Sequence, residues 1–367
     1  MKRFFAVVLT GFLLGVLCLA WGWQQWTGPG PTSSGGSAST QVRIPQGMTL
    51  SAAADTLVSQ GLLGNRRVML VGARLAGQER GVRAGLYELA YGQSARDLLA
   101  DLTAGLSVQV VLTIPEGLDS REIATIVQDA LGFDTEQFLA VADSLAEPLA
   151  LHHNLFGTAQ GHSVYDSLLV RASSTRIFHW SEGLLAPDTY HFSEGSSPQM
   201  VAAMLLDTQV DRLQQAVGRA EVGNNAHLTP WQLLTLASVV ETEARRDDER
   251  TQIAAVYSNR LQRNWRLEAD PTVAFVLGKK GKRLFYKDLK VNSPFNTYRN
   301  KGLPPGPIGT PGLASLLATA QPDAQCRAMY FVSDGKDGHV FSRTIGEHEA
   351  AVARFRTARS QERRNQR

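Results

Sequence analysis

Lys2 and Arg3 precede an uncharged run from Phe4 to Trp23, and this run constrains the chain more than any other feature. Its roughly 20 residues, at about 1.5 Å each, are enough to cross the hydrocarbon core of a bilayer as one helix. Trp21, Trp23 and Trp26 stand at its far end, where amphipathic rings settle at the lipid–water boundary. The basic pair ahead of the run keeps residues 1–3 in the cytoplasm and sends everything after Trp26 to the other side. A cleaved signal peptide fits less well, because the run is long for one and no A-x-A site follows it. Lipid modification of Cys18 would want a small residue before it, and Leu17 stands there. The expectation is a single-pass transmembrane helix over residues 4–23. Residues 24–41, which include TGPGPTSSGGSAST, lack the apolar groups to make a core and read as a flexible linker.

The remaining chain has room for two compact domains, and at 43% hydrophobic and 19% charged residues it is neither disordered nor multispanning. A net charge of +3, part of it in a basic tail at 356–367, comes without any basic stripe interleaved with aromatics, so no nucleic-acid partner is expected. Cys18 and Cys326 lie in different segments and make an implausible disulfide. There is no CxxC and no His/Cys cluster, and His152–His153 reads as a loop pair, so neither a metal nor a cofactor is expected.

Two segments of the exported part look alike. Arg43-Ile-Pro-Gln-Gly-Met-Thr-Leu-Ser and Thr113-Ile-Pro-Glu-Gly-Leu-Asp-Ser-Arg each read as a short strand, a Pro-x-Gly turn and a Ser or Asp cap opening an amphipathic helix. Ala84 to Leu89 adds a strand and Ser94 to Leu102 a helix. Such β–α units over 42–110 suit a LysM-like carbohydrate-binding module, or equally a small α+β packing domain. Residues 130–180 are weakly patterned. A helix follows from about Pro198 to Val217. Thr229-Pro-Trp-Gln232 has the form of a capping box opening a helix through Leu233, Leu236, Ala237 and Val240. A second helix should run from about Glu249 to Leu261, with Ile253, Val256, Tyr257 and Leu261 on one face. Met329–Val332 and Val340–Ser342 flank Asp334-Gly-Lys-Asp-Gly338 as a hairpin. The expected fold class is α+β, with a second, mixed α+β domain over 111–355.

Chemistry is densest at Glu241-Thr-Glu243-Ala-Arg-Arg-Asp-Asp-Glu249-Arg250, directly after the apolar helix. The plain reading is a solvated, salt-bridged helix end. Position argues otherwise: at 100° per residue Glu241 and Glu243 flank the Leu233/Val240 stripe, so at least one borders the packed interior. A carboxyl held there is desolvated, and its pKa climbs toward the range of a general acid. The helical wheel does not choose between the two. Downstream lie Asn259-Arg260, Leu267-Glu268-Ala-Asp270-Pro-Thr-Val, Asn292-Ser-Pro-Phe-Asn296-Thr-Tyr298, Gly302-Leu-Pro-Pro-Gly-Pro-Ile308 and Thr310-Pro-Gly312. Proline- and glycine-dense stretches of this kind form stiff loops able to wall a cleft.

This set of motifs resembles the MltG (YceG-like) endolytic murein transglycosylase family. The likeness is carried by Glu241 to Leu261, Leu267 to Val273, Ser293 to Tyr298, Gly302 to Ile308 and Tyr330-Phe-Val with Gly338-His339 and Phe341. Trp180-x-Glu-Gly and Pro187-Asp-Thr-Tyr190 fit the same pattern. It runs in one order over about residues 40–355. The resemblance implies that Glu243, second of the Glu-x-Glu pair and six residues before Glu249, is the catalytic acid/base. It also implies an inner-membrane anchor, a periplasmic catalytic domain, peptidoglycan glycan strands as substrate and penicillin-binding synthases as partners. Glu268 stands where the family usually has Gln, and Ala186 where it has an aromatic.

On that basis Glu243 would protonate the bond between N-acetylmuramic acid and N-acetylglucosamine. Its carboxylate would then take the C6 hydroxyl proton as that oxygen closes onto C1, leaving a 1,6-anhydro end. Intramolecular attack needs no second carboxylate and gains from effective molarity, whereas hydrolytic glycosidases use two. Glu241, Glu249, Asn259, Arg260, Glu268, Asp270, Asn296 and Tyr298 are the residues expected to hold the glycan. The competing readings are a hydrolysing muramidase, with Glu241, Glu249 or Asp270 as second carboxylate, and an anchored glycan-binding scaffold that does not cut.

Overall fold

The computed structural model describes residues 2–32, 38–45, 47–79, 81–105, 108–157, 178–220, 225 and 227–365, without the side chains of 1–12, 18 and 358–367. The class is mixed α+β. The chain forms two compact units: Met1–Leu112 with Tyr190–Ser197, and Thr113–Thr189 with Pro198–Arg367. Part of the weakly patterned stretch, 158–177, lies outside the described residues.

The first unit contains α1 (Lys2–Thr27), β1 (Ser39–Ile44), α2 (Leu50–Ser59), α3 (Arg66–Leu75), β2 (Gly85–Ala90) and α4 (Ala95–Ala104). Strands β1 and β2 pair antiparallel with Val42 opposite Tyr87. Val42, Ile44, Leu57, Met69, Tyr87, Leu98 and Leu102 form its core. Helix α1 covers the whole apolar run, yet among the described residues no helix is long and apolar enough to cross a membrane. The expected linker is shorter than 24–41. Gln24–Thr27 close α1, because Trp26 packs against the core cluster, and β1 is already under way at Ser39. Gly30 and Pro31 between them are held by backbone bonds with Gly92. The unit also takes in Tyr190–Ser197, because β3 (Gln109–Thr113) pairs with β4 (Thr189–Ser193), a return of the chain that a contiguous 42–110 module does not anticipate.

The two look-alike segments fold alike. Gly47 and Gly117 sit at φ +80° and +76°, a turn geometry that a side chain would strain. Thr49 then caps α2 and Asp119 caps α5 (Ser120–Leu131), the latter in a full capping box with Glu122. The first cap is therefore Thr49 and not Ser51, which lies one residue inside the helix.

The second unit continues with α6 (Thr135–His152), α7 (Pro198–Ala220), α8 (Pro230–Glu243), α9 (Arg250–Gln262), α10 (Asp270–Leu277), α11 (Leu313–Ala320), β5 (Tyr330–Ser333), β6 (His339–Ser342) and α12 (Ile345–Asn365). His152 ends α6 and His153 caps it, so that pair belongs to a helix terminus and not to a loop. Helix α8 opens on the capping box, where Thr229 Oγ1 accepts from Gln232 N at 3.2 Å and Pro230 occupies the first turn. Helices α7, α9, α10 and α11 all pack on it. Every residue from Leu233 to Val240 is consequently buried, Thr235 and Ser238 included. Both hydroxyls bond back to their own helix, which removes the cost of burying them. Such a helix has no solvated face. It is the mast of the unit, and Glu243 is its last residue.

Candidate active site

Helix α8 ends at Glu243 because Ala244 turns extended, and a short turn at Asp247–Glu249 leads into α9. The three glutamates around this corner meet different surroundings. Glu241 Oε1 accepts from Arg250 Nη1 at 3.1 Å, and Oε2 from the backbone N–H of Gly312 at 2.9 Å. Its side chain is only 6% exposed, so it serves as an internal brace between α8, α9 and the start of α11. Glu249 is also buried; Oε1 accepts from His339 N at 2.9 Å and Oε2 lies 2.8 Å from His339 Nδ1, which moors the β5–β6 hairpin.

Glu243 differs from both. Among the described residues its carboxyl accepts a single hydrogen bond, from Tyr257 Oη at 3.0 Å, and has no cation in contact. Burial lifts its pKa from 4.5 to about 7, and the negative charge of Asp270 adds to the lift. The Tyr257 hydroxyl, Arg245 and Arg260 oppose it. A carboxyl with a pKa of about 7 is half protonated at neutral pH, the condition under which one group can give a proton and take one back. Burial and the neighbouring Glu243 in turn push the Tyr257 phenol well up, so it stays a donor.

Asp270 and Tyr298 lie within electrostatic reach of Glu243. Tyr298 Oη donates to Asp270 Oδ1 at 2.7 Å, and burial together with that bond raises the phenol's pKa. The pair is set by a network beneath it. Thr272 Oγ1 and Thr297 Oγ1 lie 2.9 Å apart, Ala269 N donates to Thr297 Oγ1, and Glu268 N donates to Thr297 O. Asn296 is wholly buried, donates to the carbonyls of Leu289 and Val291, and accepts from Tyr298 N at 3.0 Å. Asn259 donates to the carbonyls of Cys326 and Ala328. Arg260 donates to the carbonyls of Met329 and Leu267, lies 3.8 Å from Glu268 and stacks over Tyr330 at 5.3 Å.

Of the residues expected to hold substrate, Asp270, Tyr298, Arg260 and Glu268 thus share one electrostatic neighbourhood with Glu243. Glu241, Glu249, Asn259 and Asn296 direct their polar atoms at protein partners that fix the neighbourhood's walls. Tyr257 is the residue that sequence reasoning missed as a functional group. It reads from the sequence only as a member of the apolar face of α9, and no spacing announces the contact 14 residues back. The Pro-rich loop 302–308 is stapled along α8, with Trp231 Nε1 donating to Pro305 O and Ile308 N to Ser238 Oγ. Among the described residues no cluster of His, Cys, Asp or Glu could hold a metal ion.

The causes of the Glu243 shift give a paired expectation. In Tyr257→Phe the bond favouring the carboxylate is lost, so the alkaline limb of kcat/KM should move above about pH 7, by on the order of one unit. In Asp270→Asn a like charge is lost and the limb should move down. Shifts of the same sign in the two variants would contradict this wiring.

The sequence matches the model of the YceG-like family over residues 42–354. It is 29% identical over 336 residues to the endolytic murein transglycosylase of Bacillus subtilis strain 168, covering 90% of this chain and 89% of that one. A pneumococcal protein of the same name, from Streptococcus pneumoniae strain D39, is 29% identical over 85% of this chain, which spans only 57% of that longer relative. A crystal structure of a yceG-like protein from Listeria monocytogenes superposes with a TM-score of 0.54 at 27% identity, covering 86% of this chain and 99% of the other. With the match running from β1 into α12 and spanning every residue of the Glu243 neighbourhood, the chain belongs to the YceG-like family.

Proposed function

We propose that the protein is an endolytic peptidoglycan lytic transglycosylase, cutting glycan strands between N-acetylmuramic acid and N-acetylglucosamine with Glu243 as sole acid/base. The observation that carries this is the half-buried carboxyl at the end of α8, raised to about 7 and left without a cation in contact. The Bacillus and Streptococcus relatives, both endolytic murein transglycosylases by name, support the same chemistry. In the first step Glu243 gives its proton to the glycosidic oxygen as the C1–O bond breaks, and positive charge builds on the muramoyl ring. In the second the carboxylate takes the proton of the C6 hydroxyl while O6 bonds to C1, closing a 1,6-anhydro ring. The proton returns to Glu243, so no water is consumed. Asp270 would steady the oxocarbenium-like charge through space, and Tyr298 and Arg260 would orient the sugar.

In this reading the run from Phe4 to Trp23 anchors the protein in the inner membrane with its N-terminus cytoplasmic and its catalytic unit periplasmic. The first unit acts as a LysM-like glycan-holding module, and peptidoglycan synthases supply the nascent strands whose growth the cut ends. A hydrolysing muramidase would need a second carboxylate. Glu241 and Glu249 are committed to Arg250 and His339, which leaves Asp270. Mass spectrometry of products from uncrosslinked strands separates the two. Internal products should all be lighter by one water than hydrolytic ones; products carrying the added water would refute the transglycosylase.

A further inference from the structure

Beside the acid/base neighbourhood lies a groove of about 330 Å³ lined by Arg260, Asn264, Trp265, Arg266, Glu268, Lys301 and Tyr330. Arg260 belongs to both places: it acts on the Glu243 carboxyl and forms part of the groove wall. The groove offers an aromatic platform. Trp265 is 40% exposed, unusual for so large an apolar ring, and its centroid lies 6.1 Å from that of Tyr330. The guanidinium of Arg260 lies over the Tyr330 ring at 5.3 Å, and His348 stacks on that ring at 5.2 Å. A surface ring and a fixed neighbour make a suitable seat for the apolar face of a pyranose.

The groove is also charged, and the charge is unbalanced. Glu268 is answered by Arg260 at 3.8 Å. Arg266 and Lys301 are exposed and, among the described residues, have no acidic partner. They are brought together from 35 residues apart by a backbone bridge that sets Arg266 beside Gly302. The backbone at this rim is strained as well: Asn264 and Glu268 sit at φ +52° and +51°, two of only three non-glycine residues at positive φ among those described. Such strain persists where surrounding structure enforces it, and it concentrates at binding sites.

A sugar seat beside two unanswered cations calls for an anionic saccharide. We infer that the groove is a specificity subsite that reads the peptide-bearing muramoyl residue of the strand, its ring on Trp265 and Tyr330 and a stem-peptide carboxylate against Arg266 and Lys301. The inference rests on the proposed glycan-cutting function. It makes the enzyme one that prefers strands still carrying their peptides. The charge pair supplies this discrimination, while the ring seat is indifferent to charge.

The test uses the full chain in detergent micelles and three strand preparations of equal length: peptide-bearing, peptide-bearing with carboxyls converted to amides, and stripped of peptides so that only lactyl carboxylates remain. The wild type should show KM lower by roughly 5- to 10-fold on peptide-bearing strands than on the other two, as expected for one or two charge-assisted bonds. In Arg266→Ala/Lys301→Ala that ratio should fall to about one. Trp265→Ala should raise KM on all three together and leave the ratio intact. A wild type indifferent to amidation, a stripped strand used as well as a peptide-bearing one, or a double variant that keeps the ratio would each overturn the subsite. Failure of the wild type to cut any strand would instead strike the proposed function.

Discussion

Glu243→Gln should abolish cutting of uncrosslinked glycan strands, by on the order of 10²- to 10⁴-fold in kcat, while strand binding persists. The amide keeps the shape of the side chain and can still accept from Tyr257 Oη, so the walls of the site should not move. What it loses is the proton that can be given and recovered. The wild-type rate should fall as pH rises through about 7, tracking loss of the acid form. Stability should move the other way in the variant. Because the folded-state pKa lies above the ordinary carboxyl value of 4.5, the folded protein binds the proton more tightly than the unfolded chain does. The resulting stability is complete below pH 4.5 and is lost as pH rises to about 7. The neutral amide does not titrate, so Glu243→Gln should melt near the wild type at about pH 4 and higher than it at about pH 8. A variant that still cuts would leave the scaffold or another carboxyl to account for the activity. One that neither cuts nor binds would point to collapse of the site.

Why the sequence left the proposed acid open between two residues is a matter of α8's surroundings. The capping box at Thr229, the hairpin around Asp334–Gly338 and the helices begun at Pro198 and Arg250 are local, and each is legible from caps, prolines and period. A helical wheel works only where a helix has a wet side. Helix α8 is wrapped by four others, so its flanks differ only in which distant segment arrives there. Glu241 meets Gly312 and Arg250, whereas Glu243 meets Tyr257 and the charge of Asp270. Those meetings depend on the fold of the whole unit. The family resemblance implied Glu243 from the order and spacing of its motifs, without any of these meetings. Asn259, in the last turn of α9, and Asn296, in a motif-rich loop, both look like ligand binders in the sequence, while in the fold their amides donate to backbone carbonyls. The Trp265–Lys301–Tyr330 groove escaped notice for the same reason, since its residues are spread from Arg260 to Tyr330.

Arg250→Leu should be the most damaging single change to the stability of the second unit, costing about 3–5 kcal/mol. The guanidinium is 12% exposed and stands at the centre of several contacts. Nη1 reaches Glu241 Oε1 and Ser315 Oγ, both at 3.1 Å, while Nη2 lies 3.1 Å from Asp247 and 3.7 Å from Glu116. Removing it leaves the 6%-exposed Glu241 carboxylate with one backbone N–H and beside Glu116, whose pKa is already raised by burial and by Glu241. The loss should appear as a fall in Tm on the order of 10 °C. Glu241→Gln tests the cause. It removes the buried charge but keeps an acceptor for Gly312 N, so in the Arg250→Leu background it should recover part of the loss, whereas alone it should destabilise. Additive effects of the two substitutions would mean that Arg250 stabilises through Ser315 and Asp247 and not through Glu241. Activity should follow stability only indirectly: Arg250 touches the corner that aims Glu243, not Glu243 itself, so at temperatures where Arg250→Leu remains folded its alkaline limb should stay near pH 7 even as kcat falls.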